Sequence, residues 1–578
     1  MKSLLYIVRY FWELLGFKLI ILITLIFIAI LFEGIGVTLL LPLLQESPND
    51  QISKLIIKLF SVVGLDYNIR NTLSLVTALV IARSTFLIFQ SIYAAKLTVD
   101  LQIYLRKRFI DKIFELNYLS FTQMTSSFLN NTLMRELQCV VGTFSKLAGL
   151  SVSVVIISIY FLLAISYKPY LVIVLVIFCF PVFFIAKLLM KKTKEISIIL
   201  TDTYGGIQKL ILQSLLSFKY IKATSSQDQL LSHIYNQNEK VGETQLREAK
   251  VNSFSQYGLD PILMIYLSMV LFYFVEVQGE SLIDLILVVF LMLRAMKGVL
   301  GLQGEIRKVM AMWGSIKAIS DLDEQLEKGR EVKKGVKLFE EGEIVFDSVC
   351  FSFGENEVLK NINLKVPMNK TVAIVGESGS GKSTLVNLLT GILKPSNGAI
   401  TVNGINYEDL SIESLRKKIG YITQESIIFQ DSILNNISLW KGNKENVKSA
   451  CEKAKILDYI QKECPEGLET RLGENGVNLS GGQKQRINIA RELYKDSAIL
   501  ILDEATSALD SRTEMGIQDS IELLRGKKTI FVIAHRLSTI KHADKIIVLN
   551  NGEIMESGTY HELLQNEGEF TKMVALQN

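Results

Sequence analysis

The run Gly376-Glu377-Ser378-Gly379-Ser380-Gly381-Lys382-Ser383 combines three glycines, a lysine and hydroxyls in an order that suits one task. The glycines let successive backbone N–H groups turn inward, and a helix opening at the end of the run adds the positive end of its dipole. Such a loop cradles phosphate oxygens, with Lys382 reaching the β and γ phosphates and Ser383 on Mg²⁺. The flanks agree, since Thr371–Val375 reads as a buried strand and Thr384–Leu389 as the opening of a helix.

About a hundred residues later, Leu479-Ser480-Gly481-Gly482-Gln483 forms a serine-glycine turn able to cap a phosphate bound elsewhere. Ile499–Leu502 is an apolar strand that delivers Asp503 and Glu504 to one strand end. Asp503 would hold Mg²⁺ through water, and Glu504 would polarise an attacking water. A second apolar strand, Thr529–Ala534, leads to His535, whose neutral imidazole would contact the γ-phosphate and orient that water.

From about Glu343 to Asn578 these motifs resemble the nucleotide-binding domain of ATP-binding cassette transporters, and the whole chain resembles a half-transporter exporter of that superfamily. The resemblance implies an ATP site in which Phe353 stacks on adenine, residues Gly376, Glu377, Ser378, Gly379, Ser380, Gly381, Lys382, Ser383 and Thr384 hold the phosphates, and Gln424 touches Mg²⁺ and senses the membrane domain. It makes Ser480, Gly481, Gly482 and Gln483 the family signature, Ser507 to Asp510 a dimer-contact loop, and Glu474 to Gly476 the segment that meets the membrane domain. Glu504, His535, Lys382 and Gln424 are then the catalytic group, and Ser383, Gln424 and Asp503 the Mg²⁺ set. Phe353, Thr423 and Asn475 stand where the family more often has tyrosine, proline and arginine, and none of these changes removes a catalytic group. In the family the signature of one subunit closes over the phosphate loop of another. A second copy of the same chain is the expected partner, because Glu504 and the signature are both intact.

The 578 residues, with a mean hydropathy of +0.32, exceed one soluble domain. A net charge of +4 does not point to nucleic acid. Six stretches of about 20 mostly apolar residues fall in the first three hundred: Leu19–Leu44, Leu73–Ala95, Leu147–Ser166, Tyr170–Met190, Pro261–Val277 and Leu282–Val299. Lysines and arginines crowd the segments after the second stretch (Lys96, Arg106, Lys107, Arg108, Lys112, Arg135) and after the fourth (Lys187, Lys191, Lys192, Lys194, Lys209, Lys219, Lys222). Both segments are expected on the cytoplasmic side of a bacterial cytoplasmic membrane, with the N-terminus and the ATP domain. The expected architecture is an all-α transmembrane domain of six helices with long cytoplasmic extensions over 1–320, a linker over 321–342 rich in Glu and Lys, and an α/β P-loop nucleotide-binding domain over 343–578. The extensions are expected to bend at short crosswise helices near Asn117–Ser126 and Gly206–Phe218, or else at ordinary hairpin tips.

The first turns, Leu4, Leu5, Val8, Trp12 and Leu15 against Lys2, Arg9 and Glu13, read as an amphipathic interfacial helix rather than a cleaved leader, and no leader-trimming extension is expected. Five scattered cysteines read as reduced, structural thiols.

Three features bear on the cargo. Ile52, Leu55, Ile56, Leu59, Phe60 and Val63 share one helical stripe opposite Lys54 and Lys58, either a lipid-greeting helix on the outer leaflet or a packing strut. Arg83, Arg294 and Lys297 sit in or beside membrane helices, where cations call for water, a carboxylate such as Glu33, or an anionic substrate. Phe32–Leu43 is similar to the first helix of bacterial exporters that flip lipid-linked oligosaccharides or serve exopolysaccharide assembly. A lipid-linked saccharide is therefore the leading expected cargo, with lipid A-like lipid, peptide or drug export as the alternative and a regulator or channel as a different class.

Overall fold

The computed structural model describes residues 2–39, 54, 57, 58, 60, 66–167, 170–279, 282–333, 335–503, 521, 522, 524–534 and 540–577. They fall into two compact units, Met1–Leu116 with Ser120–Arg330, and Asn117–Leu119 with Glu331–Asn578.

The first unit is helical: α1 (Lys2–Leu15), α2 (Phe17–Thr38), α3 (Ile69–Phe114), α4 (Leu137–Tyr167), α5 (Tyr170–Leu216), α6 (Gln227–Tyr257), α7 (Asp260–Phe272), α8 (Leu282–Ala311) and α9 (Trp313–Lys328). Among the described residues, four helical stretches are long and apolar enough to cross a bilayer: Phe17–Gly36, Ile69–Phe114, Ser126–Ile165 and Gln227–Val277. The other two expected segments begin α5 and α8. Exposed residues such as Leu73, Ile81, Phe89, Phe180 and Phe183 line α3 and α5, a surface that suits lipid and not water. Two buried clusters hold the bundle. One gathers Leu101, Leu105 and Phe109 of α3, Val140 and Phe144 of α4 and Ile319 and Leu322 of α9; the other joins Tyr160, Phe178, Leu263 and Met292.

Several helices run far past their apolar segments, so α3 has 46 residues and α5 has 47. Where the first crosswise helix was expected, a short helix forms over Tyr118–Thr122. The second short helix lies later than expected, at Phe218–Ala223, because Tyr204-Gly205-Gly206 stays inside α5. A glycine in a helix costs only about 1 kcal/mol, which packing along a long helix outweighs. Helix α9 likewise enters the expected linker: Asp321–Lys328 is helical, with Leu322 and Leu326 buried four residues apart on one face. In α1 the inward residues are Ile7 and Phe11, while Trp12 is 50% exposed. In the stripe after α2, Ile52, Leu55, Ile56, Leu59 and Val63 lie outside the described residues; Phe60 is buried beside Leu39 and Tyr67, and Lys54 and Lys58 are exposed.

The second unit carries β1 (Ile344–Phe353), β2 (Asn356–Val366), β3 (Thr371–Val375), β4 (Asn397–Val402), β5 (Ile405–Asn406), β6 (Ile419–Ile422), β7 (Ile499–Asp503), β8 (Thr529–Ile533), β9 (Lys545–Asn550) and β10 (Glu553–Gly558). Its helices include α10 (Lys382–Leu389), α11 (Ile412–Lys417), α12 (Ile433–Ser438) and α13 (Gly481–Lys495). An antiparallel sheet has the order β2-β1-β4-β5; the larger sheet, order β10-β9-β3-β8-β7-β6, is parallel from β9 to β6. Strand β3 is buried at all five positions, as expected for a strand covered on both faces. Alternate residues feed two cores: Ala373, Leu500 and Val532 on one face, Val372, Ile501 and Phe531 on the other.

Candidate functional site

Register brings the chemistry to one edge. Ile374 pairs with Ile533, Asp503 with Ile533, and Ile422 with Leu502, so the carboxyl ends of β3, β8, β7 and β6 finish side by side. Ligands bind at such an edge in α/β sheets. From it emerge the phosphate loop after Val375, the Asp503 carboxylate, and Gln424 two residues beyond β6.

The loop is shaped by sterics. A Cβ on Gly376 would lie 2.2 Å from the Leu549 carbonyl oxygen, and Gly381 has φ 105°, a conformation open to glycine. Lys382 is only 7% exposed, and its Nζ donates to the carbonyls of Gly376 and Glu377 at 2.8 and 2.7 Å. An ammonium is thus held inside the loop at the start of α10. The Ser380 hydroxyl is buried without a hydrogen-bond partner among the described residues. Glu377, Ser378, Gly379 and Ser383 are exposed, and Thr384 is half-buried. The loop fits the phosphates of ATP, because a buried cation and inward donors gain from an anion there.

Asp503 Oδ2 accepts from the Tyr421 hydroxyl at 3.1 Å. Burial first, and then the Asp503 charge, push the Tyr421 phenol above its usual range, so it stays a donor. Ser383, the exposed Gln424 and Asp503 all offer oxygen, the donor type that Mg²⁺ selects. The sequence reading missed Tyr421; its place on β6, beside β7, became visible only through strand pairing.

Ser480 is the N-cap of α13, and Gln483 completes a capping box with it. Ser480 and Gly481 are exposed, while Gly482 and Gln483 are half-buried, so the helix start faces outward as a phosphate cap requires. Further along α13, Arg491 Nε donates to the Asn436 carbonyl at 2.7 Å and Nη2 to that of Ile427 at 3.0 Å. That arginine anchors the segment following Gln424. Phe353 is 46% exposed and meets Phe351 edge-on at 4.8 Å, leaving a ring face for a base. Asn475 has φ 50° between Glu474 and Gly476. Glu504, Ser507, Asp510 and His535 lie outside the described residues.

In the helical unit, Glu33 of α2 binds two arginines at once. Its Oε2 meets Arg83 Nη2 of α3 at 3.0 Å and its Oε1 meets Arg294 Nη1 of α8 at 3.1 Å. Glu33 is 10% exposed, against 37% and 47% for the arginines, which leaves a cluster with one excess positive charge. Lys297 is exposed one turn beyond Arg294. Glu33 was expected as a partner for one of these cations; three helices bring it to both Arg83 and Arg294.

Two family models match the chain, the ABC transporter transmembrane region over residues 19–296 and the ABC transporter over residues 359–507. The heterocyst differentiation ATP-binding protein HepA of Nostoc sp. (strain PCC 7120) is 32% identical over 570 residues, covering 96% of this chain and 92% of that protein. An ATP-dependent lipid A-core flippase of Salmonella typhimurium is 34% identical over 432 residues, covering 72% of this chain and 73% of that protein. One of Idiomarina loihiensis is 41% identical over 353 residues, a match spanning 59% of each. In fold, the chain is similar to a bacterial Atm1-family ABC exporter with ATP bound, with a TM-score of 0.82, 22% identity, and 98% and 99% of the two chains covered. The chain therefore belongs to the ABC transporter family, as a half-transporter of exporter type with a helical transmembrane domain followed by an α/β ATP-binding domain, an ATPase coupled to transport.

Proposed function

We propose that two copies of this chain form a pump of the bacterial cytoplasmic membrane that exports an anionic lipid, powered by MgATP bound between the phosphate loop of one copy and the signature of the other. The observation that carries the cargo class is the Arg83–Glu33–Arg294 cluster. One carboxylate neutralises one of two guanidinium groups at membrane depth, and a phosphorylated headgroup supplies the missing negative charge. The names of the lipid A-core flippases support a lipid A-like cargo ahead of the lipid-linked oligosaccharide that the sequence put first. A saccharide on a lipid pyrophosphate has the same anionic chemistry and stands second, favoured by the likeness of Phe32–Leu43.

The cycle follows from a two-state balance. ATP favours the joined nucleotide domains, the crosswise helices pass that closure to the membrane helices, and access switches from the cytoplasm to the outside. Hydrolysis through Glu504 would reset it, with Lys382 reaching the β and γ phosphates, His535 contacting the γ-phosphate, and Ser383, Gln424 and Asp503 holding Mg²⁺. The test is ATP-dependent movement of fluorescent lipids in proteoliposomes, comparing a phosphorylated glucosamine lipid, a polyprenyl pyrophosphate saccharide and a neutral lipid. Equal movement of the neutral lipid would refute the anionic assignment.

A further inference from the structure

The chain passes from the first unit to the second through two consecutive residues of opposite charge, and each is bound within its own unit. Arg330 Nε meets Glu115 Oε2 at 3.0 Å, next to the end of α3, and Arg330 also pairs with Leu116 in an antiparallel bridge. Glu331 takes two hydrogen bonds from Arg416 of α11, Nη1 to Oε2 at 3.0 Å and Nη2 to Oε1 at 2.6 Å. This is the planar two-point geometry that makes such pairs strong and directional.

Arg416 has a second task. Its Nη2 also donates to the Gly391 carbonyl at 2.7 Å, just past the C-terminus of α10, and the Tyr407 hydroxyl donates to Leu389 O at 3.0 Å. The last carbonyls of a helix lack partners within it, so a cation there both satisfies them and favours the negative end of the dipole. The opposite end of α10 is the phosphate loop. Helix α11, which carries Arg416, leads straight into β6 and Gln424.

Beyond Glu331 the chain is strapped to the same region. Lys333 pairs with Glu413, the N–H groups of Val336 and Lys337 both donate to Asp409 O at 3.1 Å, and Phe339 N donates to Ser414 Oγ at 2.9 Å. A Cβ on Gly335 would fall 2.0 Å from the Leu410 carbonyl oxygen, so this close course depends on glycine.

We propose that Arg416 is a positioning residue for the phosphate loop, and that Glu331, joined through one peptide bond to the Glu115–Arg330 pair, lets the end of α3 set nucleotide affinity. The segment that reads as a passive linker is then a covalent line of communication. It acts on α10 from behind while the nucleotide binds in front.

The test uses the full-length chain in lipid nanodiscs and a double-mutant cycle of Glu115→Gln and Glu331→Gln. Apparent ATP affinity is read by fluorescent-nucleotide displacement, and kcat at saturating ATP. Each single variant is expected to shift affinity by at least about threefold with kcat kept, and the double variant to match Glu331→Gln alone. Lys333→Ala, which frees a strap fastening without touching Arg416, is expected to bind ATP as the parent does. Additive effects in the cycle, unchanged affinity in Glu331→Gln, or an equal shift in Lys333→Ala would each overturn the proposal. Because only ATP is added, the outcome is independent of which lipid is carried.

Discussion

Ser480 and Gln483 hold each other across the first turn of α13: Ser480 Oγ accepts from the Gln483 backbone N–H at 3.2 Å, and Gln483 Oε1 accepts from the Ser480 N–H at 2.7 Å. The serine oxygen is used as an acceptor, so its own hydrogen stays available for a phosphate oxygen. Capping and the proposed phosphate recognition would thus draw on different faces of one hydroxyl. Ser480→Ala is expected to lose about 1 kcal/mol of stability together with ATPase activity. Ser480→Asp caps equally well but offers no hydrogen and repels phosphate; it should melt like the parent and hydrolyse almost no ATP. Thermal unfolding and phosphate release measured on both variants separate the two roles.

Glu504→Gln removes the carboxylate proposed to polarise water and leaves the sequence of the phosphate loop unchanged. This variant is expected to bind ATP, hydrolyse it at least about a hundredfold more slowly and accumulate as a closed dimer. Single-turnover assays and crosslinking between copies give the readout; brisk turnover would remove Glu504 from the mechanism.

The Glu33 cluster makes opposite demands of its members. Replacing Arg83 and Arg294 together with alanine should abolish stimulation of ATPase by an anionic lipid while basal turnover persists. Glu33→Gln leaves both arginines without their carboxylate. It should cost about 1 kcal/mol, a modest sum because the guanidinium groups are partly exposed, and it should tighten the response to anionic lipid. Lipid titrations of ATPase activity check both.

Cys451 is fully buried behind α13, and burial pushes its thiol up to about 12. Little thiolate exists at pH 8, and access is closed as well. A maleimide should leave Cys451 unlabelled in the native protein and label it once the domain unfolds, as peptide mapping would show.

How legible these features were depended on range. The phosphate loop could be read because strand, loop and helix adjoin in sequence and Thr371–Val375 is apolar throughout; β3 and α10 occupy those places. The helical extensions were legible for the same reason. The second crosswise helix was displaced to Phe218–Ala223, since Gly205 and Gly206 carry a local preference that a long packed helix overrides. The Tyr421–Asp503 contact spans 82 positions and no local pattern announces it; the cost of cations at membrane depth made Glu33 a candidate partner, but not that it would hold Arg83 and Arg294, 50 and 261 positions away, at once.

Helix α5, with 47 residues, is about 70 Å long, more than twice the roughly 30 Å hydrocarbon thickness of a bilayer. Some 40 Å of it must then protrude as a stiff rod. Pivoting by about 10° where it leaves the lipid would sweep its tip through roughly 7 Å. A closing motion of that size around ATP would turn the roughly 30 Å arm within the lipid through about 5 Å around the cargo, without any of the helix having to melt.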